Sequence, residues 1–247
     1  MSKLKIVSPA FKFYLGDCLE VMKKIPDNTV DMVLCDLPYG VTQNKSDIVI
    51  PFEPLWEQYS RIVKKNGAIV LFAQGVFFID LVNSNRKMFK YELIWDKVLT
   101  SNFLNANIMP LRRHEQVVIF CDGKTTYNPQ MTHGFPNHSK GKPKVTNNNN
   151  YGKHGFTQSK EDGLKYPTSI VTFTKPHPSV TKHRTEKSVE LCEWLIRTYS
   201  NEGDIVLDNC MGSGTTGVAC KHTNRKFIGI ELEKEYFDIA QERVKNE

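Results

Sequence analysis

The stretch I-V-L-D-N-C-M-G-S-G-T-T-G at residues 205–217 decides the fold. Ile205, Val206 and Leu207 read as a buried strand with Asp208 at its end. Gly212-Ser213-Gly214-Thr215-Thr216-Gly217 then satisfies G-x-G-x-x-G and opens a helical pattern over 214–221. Glycines there allow a tight turn and let a ligand approach backbone N–H groups at a helix start. Lys226–Ile230 reads as the next strand, and Glu231 ends it, 23 residues after Asp208. A carboxylate at that place can accept two hydrogen bonds from ribose hydroxyls. Strand, loop, helix, strand and acid arrive in register for a nucleoside site. A dinucleotide domain normally begins with this unit and continues through several more strands. Only an amphipathic helix over 234–244 follows here, so the sheet is expected to be completed from the N-terminal half, in a circularly permuted order.

Working outward, a second segment has the same character. Val30–Cys35 is nearly continuous apolar, as a strand buried on both faces should be, and it runs into D-L-P-Y-G at 36–40. Phe11–Leu15, Ala68–Ala73, Tyr91–Trp95 and Gln116–Cys121 read as further strands, and Ser169–Phe173 as a return to the sheet. Helical spacing marks Leu19, Met22 and Ile25, then 54–64, 74–83 and 186–200. Alternating strands and helices predict an α/β fold with a Rossmann-like, mostly parallel sheet and helices on both faces. Ligands of such sheets bind at the carboxyl ends of the strands, where both motifs fall.

The rhythm stops near Cys121. From Asp122 to about Lys165 the chain is rich in Asn, Gly, Lys, His and Pro, with no persistent period. We read 1–121 and 181–247 as one catalytic domain and 122–180 as a loop-rich insertion, a segment length that is usually functional or disordered. The chain carries a net charge of +6. Between Lys124 and Lys187, ten Lys and one Arg face Glu161, Asp162 and Glu186, a local +8, so the remainder sums to −2. Five of the seven histidines lie in the same segment. That concentration suggests a surface for a polyanion, against the plainer reading of a solvated basic loop. The six cysteines include no C-x-x-C pair, which argues against a zinc ribbon and a disulfide framework. No metal is expected. No apolar run approaches the ~20 residues needed to span a bilayer, and the start lacks a signal-peptide stretch. A cytoplasmic protein is expected.

Residues 36–40 resemble the D-P-P-Y motif of DNA amino-methyltransferases, with Leu37 in place of the first proline. Gly16-Asp17-Cys18-Leu19 resembles the family's G-D-x-L element. His183-Arg184-Thr185-Glu186-Lys187-Ser188 resembles its H-P-T-Q-K-P element, departing at Arg184, Glu186 and Ser188. His114-Glu115 before Val117–Phe120 resembles its H-E strand. Catalytic motif first, basic variable region next and cofactor motif last is the order of the β group, and the resemblance covers about 180 residues. It implies S-adenosylmethionine as cofactor and site-specific methylation of adenine N6 in double-stranded DNA after base flipping. Asp rather than Ser at 36 favours adenine N6 over cytosine N4.

The resemblance also implies roles for particular residues. Asp36, Leu37, Pro38 and Tyr39 are the catalytic set. An exocyclic amine is a poor nucleophile, and Asp36 with the main-chain carbonyl of Leu37 accepts from its N–H groups; Pro38 stiffens the turn and Tyr39 stacks the base. Asp208, Gly212, Ser213, Gly214 and Thr215, with Asn209 in the same loop and Asp36 nearby, line the methionine portion of the cofactor. Glu231 holds the ribose, and Asp17 and Cys18 lie by the adenine. His183, Thr185 and Lys187 close the pocket, although Thr185 also reads as an N-cap and Lys187 as a solvated residue. The 124–187 segment meets DNA phosphates. A restriction endonuclease partner, and either a monomer or a homodimer, fit the same picture. Cytosine-N4, RNA or protein-glutamine methylation, a nucleotide-dependent dehydrogenase and an inactive DNA-binding module are the competing readings.

Overall fold

The computed structural model describes residues 3–41, 47–135, 146–150, 152–154, 163–176 and 186–247. The chain divides into two units, 1–128 with 169–247, and 129–168. The first unit opens with β1 (Lys3–Ser8), β2 (Phe11–Leu15), α1 (Cys18–Met22), β3 (Val30–Cys35), α2 (Phe52–Ile62), β4 (Val63–Ala73), α3 (Gly75–Ser84), β5 (Phe89–Ser101) and β6 (Arg112–Phe120). The second unit contributes β7 (Thr132–His133), β8 (Thr146–Asn148), β9 (Gly152–His154) and β10 (Leu164–Lys165). The chain then returns to the first unit for β11 (Ile170–Thr172), α4 (Val189–Tyr199), β12 (Ile205–Asp208), α5 (Thr215–His222), β13 (Lys226–Glu231) and α6 (Lys234–Asn246).

The nine strands of the first unit form one sheet in the order β1-β2-β13-β12-β3-β4-β6-β5-β11. Its centre, from β2 to β4, is parallel throughout. The two C-terminal strands thus sit between two N-terminal ones, which is the permuted order expected from the glycine motif. From β3 the chain moves through α2 to β4 on one side, and from β12 through α5 to β13 on the other. The strand order therefore switches between β3 and β12, the place where ligands of open α/β sheets bind.

Alternation across the sheet builds two cores. Met32 and Leu34 of β3, with Val70 and Phe72 of β4, face the layer of α4, α5 and α6. Val33, Cys35, Ile69 and Leu71 face α1, α2 and α3, with Trp56 and Tyr59 packed beneath. Both faces are dry, which is why these strands read as unbroken apolar runs. The glycines of the 212–217 loop serve packing as much as any ligand. Gly214 caps α5 with φ +82°, and a Cβ there would lie 2.9 Å from the Cβ of Ala240 on α6.

Several elements differ from the sequence expectation. β1 was not foreseen: it is an edge strand paired only with β2, and its K-L-K-I pattern alternates weakly. β5 runs six residues past Trp95 because its far half is held by the ladder to β6, across an irregularity between Asp96 and Ser101. The helix read over 186–200 begins only at Val189; Ser188 caps it by accepting from the N–H of Leu191 at 3.3 Å. The stretch read as having no period holds two short antiparallel pairs, β7 with β10 and β8 with β9. Strands of two or three residues are too short to show alternation. Among the described residues, no helix is long and apolar enough to cross a membrane and no group of His, Cys, Asp and Glu is arranged for a metal ion.

Candidate active site

β3 and β12 are neighbours, pairing Val206 with Met32 and Leu207 with Val33. Their carboxyl ends therefore deliver Asp36 and Asp208 to the same edge. The D-L-P-Y turn is anchored by its second residue: Leu37 is buried in the α1–α2–α3 core, which is why an apolar side chain suits the position. Tyr39 stacks on Phe77 of α3 with ring centroids 4.9 Å apart, and its hydroxyl donates to Asp36 Oδ1 at 2.7 Å. Burial and the Asp36 charge push the Tyr39 phenol well above its ordinary value, so the hydroxyl stays a donor.

Asp36 Oδ2 has its own partner, the Lys187 ammonium at 2.6 Å. Lys187 also lies 3.3 Å from Glu115 Oε2, and Lys97 lies 3.0 Å from Glu115 Oε1. Burial opposes the Lys187 charge, but Asp36 and Glu115 outweigh it and hold the ammonium above its ordinary pKa. Glu115 is balanced likewise: burial pushes it up, Lys187 and Lys97 more than compensate, and its pKa lies below the usual carboxylate value. The reading of Lys187 as solvated is corrected. Its side chain is 11% exposed and sits in a set of ion pairs, the condition under which a lysine is buried.

The cofactor motif is folded around its carboxylates. Glu231 Oε2 accepts the N–H of Gly212 at 2.9 Å and Oε1 that of Glu233 at 2.8 Å, so it holds the glycine loop against the end of β13. Each oxygen keeps a lone pair for a further donor. Burial raises the Glu231 pKa, and these backbone N–H groups pull it back in part. The N–H of Gly16 donates to the Glu231 carbonyl at 2.9 Å, which places Asp17 and Cys18 beside the same strand end. Asp17 caps α1 by accepting from Glu20 at 3.1 Å, and the Cys18 thiol, hydrogen-bonded to Cys210 and buried, is pushed up in pKa. Asp208 accepts from the N–H of Cys210 at 3.1 Å, and burial pushes its carboxyl up to about 7. Asn209 is turned inward, its Oδ1 accepting from the Tyr59 hydroxyl at 2.6 Å.

Three consecutive residues tie the two motifs together. Glu186 pairs with Arg243 of α6 at 2.8 Å and accepts from Ser213 Oγ at 3.2 Å. Lys187 reaches Asp36 of the D-L-P-Y turn, and Ser188 caps α4. Arg243 also donates to Ser213 at 3.3 Å and Thr215 at 3.2 Å. The structure thus gathers Asp17, Cys18, Asp36, Leu37, Pro38, Tyr39, Lys187, Asp208, Asn209, Gly212, Ser213, Gly214, Thr215 and Glu231 at one edge of the sheet. His183 and Thr185 lie outside the described residues. Sequence reading missed Lys97, Glu115, Glu186 and Arg243 as members of the site. Arg243 did carry a signal, a charge beside Ala240 and Val244 on the buried face of an amphipathic helix.

The family model for DNA methylases of the N6/N4 type matches residues 30–242. Type II methyltransferase M.HpaI of Haemophilus parainfluenzae is 28% identical over 254 residues, spanning 94% of this chain and 73% of that protein. DNA adenine methyltransferase YhdJ of Escherichia coli K12 is 28% identical over 257 residues, spanning 93% and 81%. The crystal structure of the M1.HpyAVI–SAM complex superposes with a TM-score of 0.63 at 27% identity, covering 94% of this chain and 99% of that one. With the D-L-P-Y turn and the glycine loop on neighbouring strands, and the match running across both, the chain belongs to the N6/N4 DNA methylases.

Proposed function

We propose that this DNA methyltransferase acts on adenine N6 of double-stranded DNA, with S-adenosylmethionine as methyl donor. The observation that carries the reading is the meeting of Asp36 and Asp208 at the strand-order switch, a turn of amine acceptors beside a loop suited to a cationic nucleoside. The donor set fits that cofactor: Glu231 keeps acceptor capacity for a ribose diol, and the buried carboxyl of Asp208 would favour a positively charged ligand beside it. Glu231 would hold the ribose, Asp17 and Cys18 the adenine, and Asp208 with Gly212, Ser213, Gly214 and Thr215 the methionine portion, with Lys187 closing the pocket and His183 and Thr185 joining it. When bound, S-adenosylmethionine supplies a methyl group activated by a sulfonium.

The chain's own residues prepare the nucleophile. Adenine N6 shares its lone pair with the ring, and it becomes reactive as it turns tetrahedral. Asp36 and the Leu37 carbonyl accept its two N–H bonds and favour that geometry, while positive charge growing on nitrogen meets the Asp36 carboxylate. Pro38 limits the turn to one shape, and Tyr39, fixed on Phe77, offers its ring to a base flipped out of the duplex. Transfer is direct, with no covalent enzyme intermediate. The 122–180 insertion reads the target, and the basic 124–187 segment contacts phosphates. We assign the protein to the cytoplasm, with a restriction endonuclease as a candidate partner.

The test is expression in a host free of DNA methylation, with product nucleosides separated by mass. N6-methyladenine is expected, and Asp36→Ala should abolish it while cofactor binding persists. N4-methylcytosine alone would overturn the choice of base, and no modified base would overturn the activity.

A further inference from the structure

Two ammonium groups and two carboxylates meet behind the catalytic turn, delivered by four separate segments. Lys97 comes from β5, Glu115 from β6, Lys187 from the strap before α4, and Asp36 from the end of β3. Lys187 lies between the two carboxylates, 2.6 Å from Asp36 Oδ2 and 3.3 Å from Glu115 Oε2. Lys97 holds the other oxygen of Glu115 at 3.0 Å. The set is neutral in sum. The side chains of Lys97, Glu115 and Lys187 are 4%, 12% and 11% exposed. Glu115 Oε2 is buried, and the Lys187 ammonium at 3.3 Å is a longer and weaker partner to it than to Asp36.

This arrangement poses a problem for the proposed chemistry. Tyr39 occupies Asp36 Oδ1 and Lys187 occupies Oδ2. The incoming amine shares this carboxylate and becomes positive during transfer, so an ammonium seated on Oδ2 opposes its charge. The ring faces of Phe72 at 5.1 Å and Tyr39 at 5.9 Å lie under the Lys187 Nζ and favour its charge where it is, so on leaving Asp36 the ammonium needs another carboxylate close by. Glu115 Oε2 offers the alternative within less than an ångström of movement.

We propose that Glu115 is a positioning residue for methyl transfer: it receives the Lys187 ammonium when the target amine takes Asp36 Oδ2. Lys97 on the opposite oxygen keeps Glu115 ionised and in place. The exchange moves one ammonium between two carboxylates and leaves the total charge unchanged. The inference rests on the proposed methyl transfer to an amine.

The test uses the full-length protein in single-turnover methyl transfer to duplex DNA, with S-adenosylmethionine affinity measured by calorimetry. Glu115→Gln leaves Lys187 with Asp36 as its one charged partner, and should slow transfer by about 10–100-fold while the affinities for cofactor and DNA change by less than about threefold. Glu115→Asp, which keeps the charge, should recover most of the rate. The decisive variant is Glu115→Gln combined with Lys187→Met, compared at saturating S-adenosylmethionine because Lys187 also closes the cofactor pocket. If Lys187 over-occupies Asp36 in the single variant, removing it restores part of the lost rate. A double variant no faster than Glu115→Gln, or a Glu115→Gln rate equal to wild type, overturns the proposal. If the wild type transfers no methyl group, the functional reading fails instead. Thermal unfolding of Glu115→Gln, Lys187→Met and the double variant then reads the pair: additive effects at 115 and 187 refute it, and coupled effects support the shared ammonium.

Discussion

Replacing Asp208 by Asn should remove a pH dependence from cofactor binding, and the size of that dependence follows from the site. Burial pushes the Asp208 carboxyl up to about 7, although the Thr216 side chain, the Cys210 N–H and the Cys35 thiol all favour its charged form. A carboxyl raised in the folded state contributes stability that is fully present below its unfolded value, about 4, and is lost as pH rises through about 7. Binding reverses the preference. A cationic ligand beside Asp208 favours the carboxylate, so it lowers the pKa and expels a proton. In the free protein the carboxylate fraction rises from about one in eleven at pH 6 to about ten in eleven at pH 8, so the Kd for S-adenosylmethionine should fall about tenfold across that window. Calorimetry at both pH values supplies the affinities, and buffers of different ionisation enthalpy report the proton released. Asp208→Asn is the reference, because any titration of the cofactor's own amine is common to both proteins. The same pH slope in both, or no proton release near pH 7, refutes the reasoning.

Glu231→Ala removes the acceptor of two buried backbone N–H groups, so it should cost about 2–4 kcal/mol of stability and lower Tm by roughly 5–15 °C; cofactor affinity should fall at least about tenfold with it, and unchanged binding in calorimetry would remove Glu231 from the site. Tyr39→Phe keeps the ring on Phe77 and loses the donor to Asp36, so single-turnover transfer should stay within about tenfold of wild type, whereas Tyr39→Ala should lose far more. Equal losses in the two would assign the hydroxyl, not the ring, to capture of the base. Changing Lys140, Lys142 and Lys144 together to Ala should flatten the salt dependence of DNA binding by about two to three units of slope, and an unaltered slope would move the phosphate contacts elsewhere.

The parts of this fold that were legible are those where one physical demand acts locally. Val30–Cys35 and Ala68–Ala73 are buried on both faces and can only be apolar, and the order of Asp36, Asp208 and Glu231 along the chain implied the permuted sheet. What stayed hidden depends on partners far away in the chain. Lys97 and Lys187 look like surface residues until Glu115 and Asp36 are beside them. Glu186 looked like a departure from the family's glutamine, and its reason is Arg243, 57 residues later. The far half of β5 carries a Thr-Ser ending that resembles a loop, and the strand exists because β6 supplies its hydrogen bonds. Asn209 lies in the cofactor loop by position, yet its side chain belongs to Tyr59, a pairing across 150 residues.

The strap at 186–188 has a consequence for what kinds of change the chain tolerates. Glu186 faces the glycine loop and Lys187 the catalytic turn, one residue apart and of opposite sign. Inserting one residue before Glu186 would carry its carboxylate to the place where Lys187 meets Asp36, and deleting one would carry the Lys187 ammonium to the place where Glu186 meets Arg243. In either case an attractive contact becomes a repulsive one while Glu186 and Lys187 are both still present. Length at this point is therefore constrained more tightly than residue identity, and a library of one-residue insertions should find a sharp minimum of function at 186–188 beside tolerant surface turns.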